Sequence, residues 1–140
     1  MNCKIKNLSP NSFAKFGGVI EPGEEAGFEV LLQEKEQVGW RLAISRIDNK
    51  GIGKLARHPN TIEYFAPLNG IPLMCVSGTK EPSDLQVFLL DKPIYIHKNI
   101  WHATMSLSDY AVLSICENLY VESEEYVLNT PLEVVVKEVG

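Results

Sequence analysis

Apolar residues in this chain come in short runs, and turn residues interrupt them every few positions. Val38, Trp40, Leu42 and Ile44 alternate with Gly39, Arg41, Ala43 and Ser45, the period of two of a half-buried strand. Residues 61–67 and 71–77 read as strands joined at Asn69-Gly70, a hairpin signal because both residue types tolerate positive φ. Residues 27–33, 93–96, 110–116 and 132–136 read as further strands, and 85–90 as a short strand or one helical turn. Residues 34–37 form a polar turn, 48–53 and 79–84 loops, and the acidic run 122–125 a solvated loop. One helix is expected: Ser9 suits the N-cap, Pro10 suits the first helical position, and the run to Phe16 ends at Gly17-Gly18. Many short strands with one short helix indicate an all-β sandwich or barrel. No linker, repeat or low-complexity stretch divides the 140 residues, so they read as one domain, 1–140.

Composition narrows the roles. Apolar residues make up 45% and charged residues 22%, ordinary for a globular protein. A formal net charge of −5 argues against nucleic acid as a partner, because phosphate binding wants a basic surface. No apolar run approaches a membrane span, and the first residues lack the apolar core of a secretory signal. No membrane partner and a cytoplasmic location are expected. Cys3, Cys75 and Cys116 form no CxxC pair and fit a reduced protein. Neither Gly17-Gly18 nor Gly51-Ile52-Gly53 belongs to a phosphate-binding loop, and no organic cofactor is expected.

The chemistry concentrates in two segments. All three histidines lie in RHPNTIEYFAPLNG, Arg57 to Gly70, and DKPIYIHKNIWH, Asp91 to His102. Imidazole and carboxylate at one end of a small barrel are what a divalent transition metal needs. His58, Glu63 and His102 are the candidate ligands. His97 is the candidate general acid or base, since a near-neutral imidazole can serve as either. Lys98 offers a partner for a substrate carboxylate. Tyr95 and Trp101 are candidates to line a pocket, or simply to fill the core.

These segments resemble the two motifs of the cupins. The first cupin motif carries an HxH pair, then a Glu, then a Gly; here His58, Glu63 and Gly70 fit, and Ala56 stands at the first His. The second ends in PxGxxH; here His102 fits the His, while His97 and Asn99 stand at Pro and Gly. Within the cupins the chain is similar to ureidoglycolate lyase (older name ureidoglycolate hydrolase). The resemblance rests on LSPNSFAKFGGVIE, Leu8 to Glu21; on Arg57-His58-Pro59 with Phe65, Pro67 and Gly70; and on His97, Trp101 and His102. It departs at Ala103, where that family has a second His after Trp-His, and at Glu63, where it often has Gln. The acidic–basic pair common near that family's last core strand is not evident around Glu117-Asn118.

The resemblance implies a cupin-type double-stranded β-helix, a jelly-roll barrel with a short N-terminal helix. It implies a lyase of allantoin and purine breakdown that splits ureidoglycolate into glyoxylate and urea. His97, His102 and Lys98 would be catalytic, Arg57, Tyr95 and Trp101 would bind substrate, and His58, Glu63 and His102 would hold the metal. A small-molecule carboxylate substrate and a homodimer built through edge strands follow by the same resemblance. Two alternatives stand beside it. One is a divergent metal-binding cupin acting on another small carboxylate or sugar-like substrate, as an isomerase or dioxygenase would. The other is a non-catalytic small-molecule-binding cupin, which Ala56 and Ala103 favour.

Overall fold

A computed structural model describes residues 3–78 and 80–134. The elements are β1 (Ile5–Lys6), α1 (Pro10–Phe13), β2 (Gly17–Val19), β3 (Trp40–Ile47), β4 (Gly51–Arg57), β5 (Glu63–Asn69), β6 (Pro72–Ser77), β7 (Gln86–Leu89), β8 (Ile94–Ile96), β9 (Trp101–Ser106), β10 (Ala111–Asn118) and β11 (Glu124–Glu133). They form a six-stranded sheet, β1-β7-β6-β9-β4-β11, and a five-stranded sheet, β2-β8-β5-β10-β3. The architecture is nearly all-β, as expected. No helix among the described residues is long and apolar enough to cross a membrane.

Strand alternation divides the apolar residues between two cores. Met74, Val76 and Phe88 of the six-stranded sheet meet Phe65, Ile94, Ile96 and Leu113 of the five-stranded sheet between the layers. The alternate residues Leu73, Cys75, Val87, Trp101 and Met105 cover the outer face of the six-stranded sheet, where Leu128 and Leu132 of β11 pack over them. Cys75 lies in this second core, and burial pushes its thiol up to about 12. All three cysteines are free thiols.

The helix starts where expected but is shorter. Ser9 Oγ accepts from the Ser12 amide at 3.1 Å, and Ser12 Oγ accepts from the Ser9 amide at 3.0 Å. This reciprocal cap nucleates one turn, which ends at Phe13, with Phe13 packed edge-on against Phe88 at 5.2 Å. Gly17-Gly18 do more than stop the helix. They begin β2 against β8, and a Cβ at Gly17 would meet the Tyr95 carbonyl at 1.8 Å.

Several sequence expectations are corrected. Asn69-Gly70 joins no hairpin: β5 pairs with β8 and β10, whereas β6 pairs with β7 and β9 in the other sheet. Gly70 has the expected positive φ of 75°, but it serves a corner between the layers. Residues 27–33 form no strand, because nothing among the described residues offers them a ladder. Residues 51–53, expected in a loop, open β4. Residues 85–90 contain strand β7. Glu124 and Glu125, expected in a solvated loop, start β11 opposite Arg57 and Ala56. Of the expected strand 132–136, Leu132 and Glu133 close β11, and residues 135 and 136 lie outside the described residues.

Candidate metal centre

Two sheets bring the three candidate ligands together. His58 follows β4, Glu63 opens β5 and His102 is the second residue of β9. Ala56 pairs with His102 across β4 and β9, so the segment leaving β4 lies beside His102. Glu63 reaches across from the opposite sheet. Its Oε1 lies 3.0 Å from His58 Nε2 and 2.9 Å from His102 Nε2. One donor atom from each residue lies within 4.8 Å of the others.

The outward nitrogens are anchored by the backbone. His102 Nδ1 is 3.0 Å from the Ile100 carbonyl, and His58 Nδ1 is 3.0 Å from the Glu122 carbonyl, with Ser123 Oγ at 2.9 Å. A carbonyl only accepts, so each Nδ1 carries a proton and each Nε2 is the atom presented to the centre. Metal-ligating histidines have this arrangement, because the second bond fixes the tautomer and ring orientation. Without a metal, a proton on Nε2 must bridge to Glu63 instead. A divalent ion bonded to both Nε2 atoms and Glu63 would take the place of those protons. The residues therefore fit a metal on their donor chemistry: two imidazoles and one carboxylate, with further positions left for solvent or substrate.

Charge at the centre is shared by a wider network. Burial works against ionisation of Glu63, which is 5% exposed, yet hydrogen bonds from His102 and His58 hold its carboxyl well below the usual carboxylate range. Burial also opposes a charge on His58, and the Glu63 carboxylate overcomes it and raises the imidazole. Behind Glu63 stands Glu117 of β10. Burial and the hydrogen bond to Glu63 push its carboxyl up, and Arg41 partly restores the charge. Arg41 Nε donates to Glu117 Oε2 at 2.7 Å, and its Nη2 pairs with the same oxygen. An acidic–basic pair thus exists beside the last core strand. Its basic member comes from β3, which places Glu117 opposite Arg41. No local sequence signal links two residues so far apart; only the pairing of β3 with β10 brings them together.

Other expected site residues go elsewhere. Glu63 pairs with Ile96 and Tyr64 with Tyr95, so Tyr95 points to the face of the sheet opposite Glu63. His97 packs on Tyr95 at 5.8 Å and is exposed. The structure does not bring His97 or Tyr95 to the cluster. Lys98 pairs with Glu34 at 3.3 Å. Trp101 belongs to the core on the outer face of the six-stranded sheet and donates its indole N–H to the Lys80 carbonyl at 2.9 Å. Arg57 lies over the Trp101 ring at 4.5 Å and pairs with Glu124 at 2.7 Å. Strand alternation explains both: neighbours of His102 and Ala56 in sequence face away from them. Ala103 packs with that same outer core and also borders the cavity beside His102. Ala56 faces the same cavity.

That cavity has a volume of about 270 Å³ and is lined by Ala56, Glu63, Phe65, His102, Thr104 and Ile115, with Lys54 and Glu125 at its rim. Lys54 and Glu125 pair at 3.3 Å. Apolar walls between two charged groups, Glu63 with His102 and Lys54 with Glu125, suit a small polar ligand.

No protein-family model and no curated protein matches the chain. Solved structures do. A dTDP sugar isomerase from Desulfovibrio desulfuricans G20 superimposes with a TM-score of 0.55 at 18% identity, over 81% of this chain and 83% of that one. RmlC from Streptococcus suis, in complex with dTDP-D-xylose, gives 0.47 at 18% identity over 59% and 45%. An S161A mutant of Bacillus subtilis oxalate decarboxylase gives 0.47 at 17% identity over 65% and 24%. The two facing sheets, the strand order and the first of these likenesses establish that the chain has the cupin fold.

Proposed function

We propose that this protein is a metal-dependent cupin acting on a small polar substrate, a carboxylate or a sugar-like molecule. The observation that carries the reading is the convergence of His58 Nε2, His102 Nε2 and a Glu63 carboxylate oxygen within 4.8 Å, with Glu63 and His102 also lining a cavity. A divalent ion held there supplies Lewis-acid polarisation of a substrate oxygen. The chain does the rest. Phe65 and Ile115 exclude water from one side of the cavity. Thr104 and Lys54 offer polar contacts at its open end. Glu117 stands behind Glu63, where burial and its contact with Glu63 push its carboxyl up and Arg41 opposes that shift.

The cavity is small. At about 270 Å³ it lies below the usual 300–1,000 Å³ of drug-sized ligands. This favours a compact substrate over a whole nucleotide sugar. Ureidoglycolate is of suitable size, so its cleavage to glyoxylate and urea is a specific form of the proposal. In that form His97 is not the base, since it sits on the far face of the sheet, and proton transfer falls to Glu63 and Glu117.

The test is a turnover assay on tag-free protein supplied in turn with manganese, iron, cobalt, nickel and zinc. Substrates would span ureidoglycolate, small dicarboxylates and simple sugar phosphates. Turnover that needs a metal and disappears in His58→Ala supports the reading. Binding of these compounds without turnover under any metal would favour the non-catalytic alternative.

A further inference from the structure

A second cavity, separate from the one beside the ligands, opens at the same end of the two sheets. Its volume is about 410 Å³, with Phe16 and Ile100 as its apolar floor. Lys15, Lys80, Ser77 and Asp84 surround that floor. Both sheets contribute. Lys15 and Phe16 lead into β2, whereas Ser77 ends β6, and Lys80 and Asp84 follow it. Ser77 pairs with Trp101, the neighbour of His102 on β9.

Several donors in this cavity have no use within the chain. Ser77 is 4% exposed, yet its hydroxyl makes no hydrogen bond among the described residues. No buried side-chain nitrogen or oxygen among them is both sealed from solvent and unpartnered, so this hydroxyl opens on the cavity that Ser77 lines. Lys15 and Lys80 form no ion pair among the described residues, unlike Lys54, Lys92 and Lys98. Gln86 accepts from Lys6 at 2.9 Å through Oε1, which leaves its amide N–H groups for a ligand. Of the two acids on the rim, Glu81 already accepts from the Tyr126 hydroxyl at 2.9 Å, and Asp84 has no partner among the described residues. Two ammoniums and a buried hydroxyl suit an anionic group. Asp84 suits a ligand hydroxyl, and Phe16 with Ile100 suits a carbon skeleton. The volume is that of a small-molecule site.

The floor of this cavity is tied to both histidines of the cluster. Residues 97–100 form a turn in which Asn99 has a φ of 69°, a conformation that Asn tolerates better than most residues. The Phe16 carbonyl accepts from the His97 amide at 2.9 Å, and the Asn99 amide donates to the His58 carbonyl at 3.1 Å. The Ile100 carbonyl accepts from His102 Nδ1 at 3.0 Å. One turn therefore joins Phe16, His58 and His102. A ligand packed on Phe16 and Ile100 contacts the closed turn and favours it over any opened form.

We propose that this cavity binds a small hydroxylated organic anion, and that its occupancy steadies the turn that positions His58 and His102. The site does not depend on an ion at the metal centre. The experiment is calorimetric titration of the full chain, stripped of metal and dialysed free of chelator, with glycerol phosphate and with malate. Saturable binding of about one probe per chain is expected, roughly tenfold tighter than inorganic phosphate, which lacks a carbon skeleton to bury. Binding of glycerol phosphate alone identifies the anion as a phosphate, and binding of malate alone as a carboxylate. Reversing both cations, Lys15→Glu with Lys80→Glu, is expected to abolish binding and keep the melting temperature, since both side chains are exposed. Ser77→Ala should weaken binding roughly fivefold. Lys54→Glu, on the other cavity, should leave it unchanged. Bound probe should also slow hydrogen exchange of the Asn99 amide. The site is overturned if neither probe binds more tightly than inorganic phosphate, if binding survives the double reversal, or if only Lys54→Glu removes it. Binding that leaves Asn99 exchange unchanged overturns the link to the histidines.

Discussion

The two tryptophans occupy the outer faces of opposite sheets and meet opposite fates. Trp101, on the six-stranded sheet, is 5% exposed beneath Tyr126, Arg57 and the second core. Trp40, on the five-stranded sheet, is 71% exposed. Both lie on strands whose residues alternate with a period of two. The outer face of the six-stranded sheet is packed within the chain, where Leu128 and Leu132 of β11 cluster with Trp101 and Met105, and Leu85 and Leu107 pack against them. Among the described residues, nothing covers the five-stranded sheet at β3 in this way. Apolar alternation identifies an apolar face, but it does not say whether the same chain covers it.

The largest effects should separate these two faces. Trp101→Ala opens a cavity in a closed core and removes an indole hydrogen bond, and should cost about 3–5 kcal/mol in urea-induced unfolding. Trp40→Ala, at a side chain that is 71% exposed, should change that free energy by less than about 0.5 kcal/mol. Equal losses at both positions would mean that β3 is already covered within one chain.

The ligand cluster is the next target. Glu63→Ala removes the anion between two imidazoles and should cost the metal-free protein about 3 kcal/mol, because it breaks a buried pair. A thermal melt in chelator reads this directly, and an unchanged melting temperature would show that the three residues share no charge.

A smaller effect lies in pH. Glu63 is held below its ordinary 4.5, so its contribution is present above that value and fades as pH falls through the lowered one. His58 is raised above its ordinary 6.5, so its contribution is complete below 6.5 and fades as pH rises through the raised one. In chelator, the pair therefore stabilises most between about 4.5 and 6.5. Metal should move the optimum upward, since the ion must displace the Nε2 protons. Melting temperatures across pH, with and without metal, check both shifts. A Glu63→Gln variant should flatten the metal-free profile.

Much of this was legible in the sequence, for physical reasons. Alternation in residues 38–45 marks β3, and Ser9-Pro10 marks the helix start, because both signals are local; the half-burial expected of β3 is not met, since Trp40, Leu42 and Ile44 are exposed. His58, Glu63 and His102 were legible because the two segments that carry them are distinctive in sequence. What failed was non-local. Asn69-Gly70 has turn chemistry, yet which sheet receives the chain afterwards depends on partners far away. Residues 27–33 have strand composition without a ladder among the described residues. β9 alternates Trp101, Ala103 and Met105 with His102, Thr104 and Ser106, a period that would have placed Trp101 opposite His102. The same reasoning along β8 would have turned Tyr95 away from Glu63. Glu117 and Arg41 meet only through strand pairing, and neither stands out alone.

The most direct measurement is elemental analysis of protein purified without a histidine tag or chelator, comparing wild type with His102→Ala. The account predicts a divalent transition metal stoichiometric with chain in the wild type and lost from the variant, while the variant keeps its fold by circular dichroism. A wild type that takes up no metal even after incubation with manganese, iron, cobalt, nickel or zinc would contradict it. So would a variant that holds as much metal as the wild type.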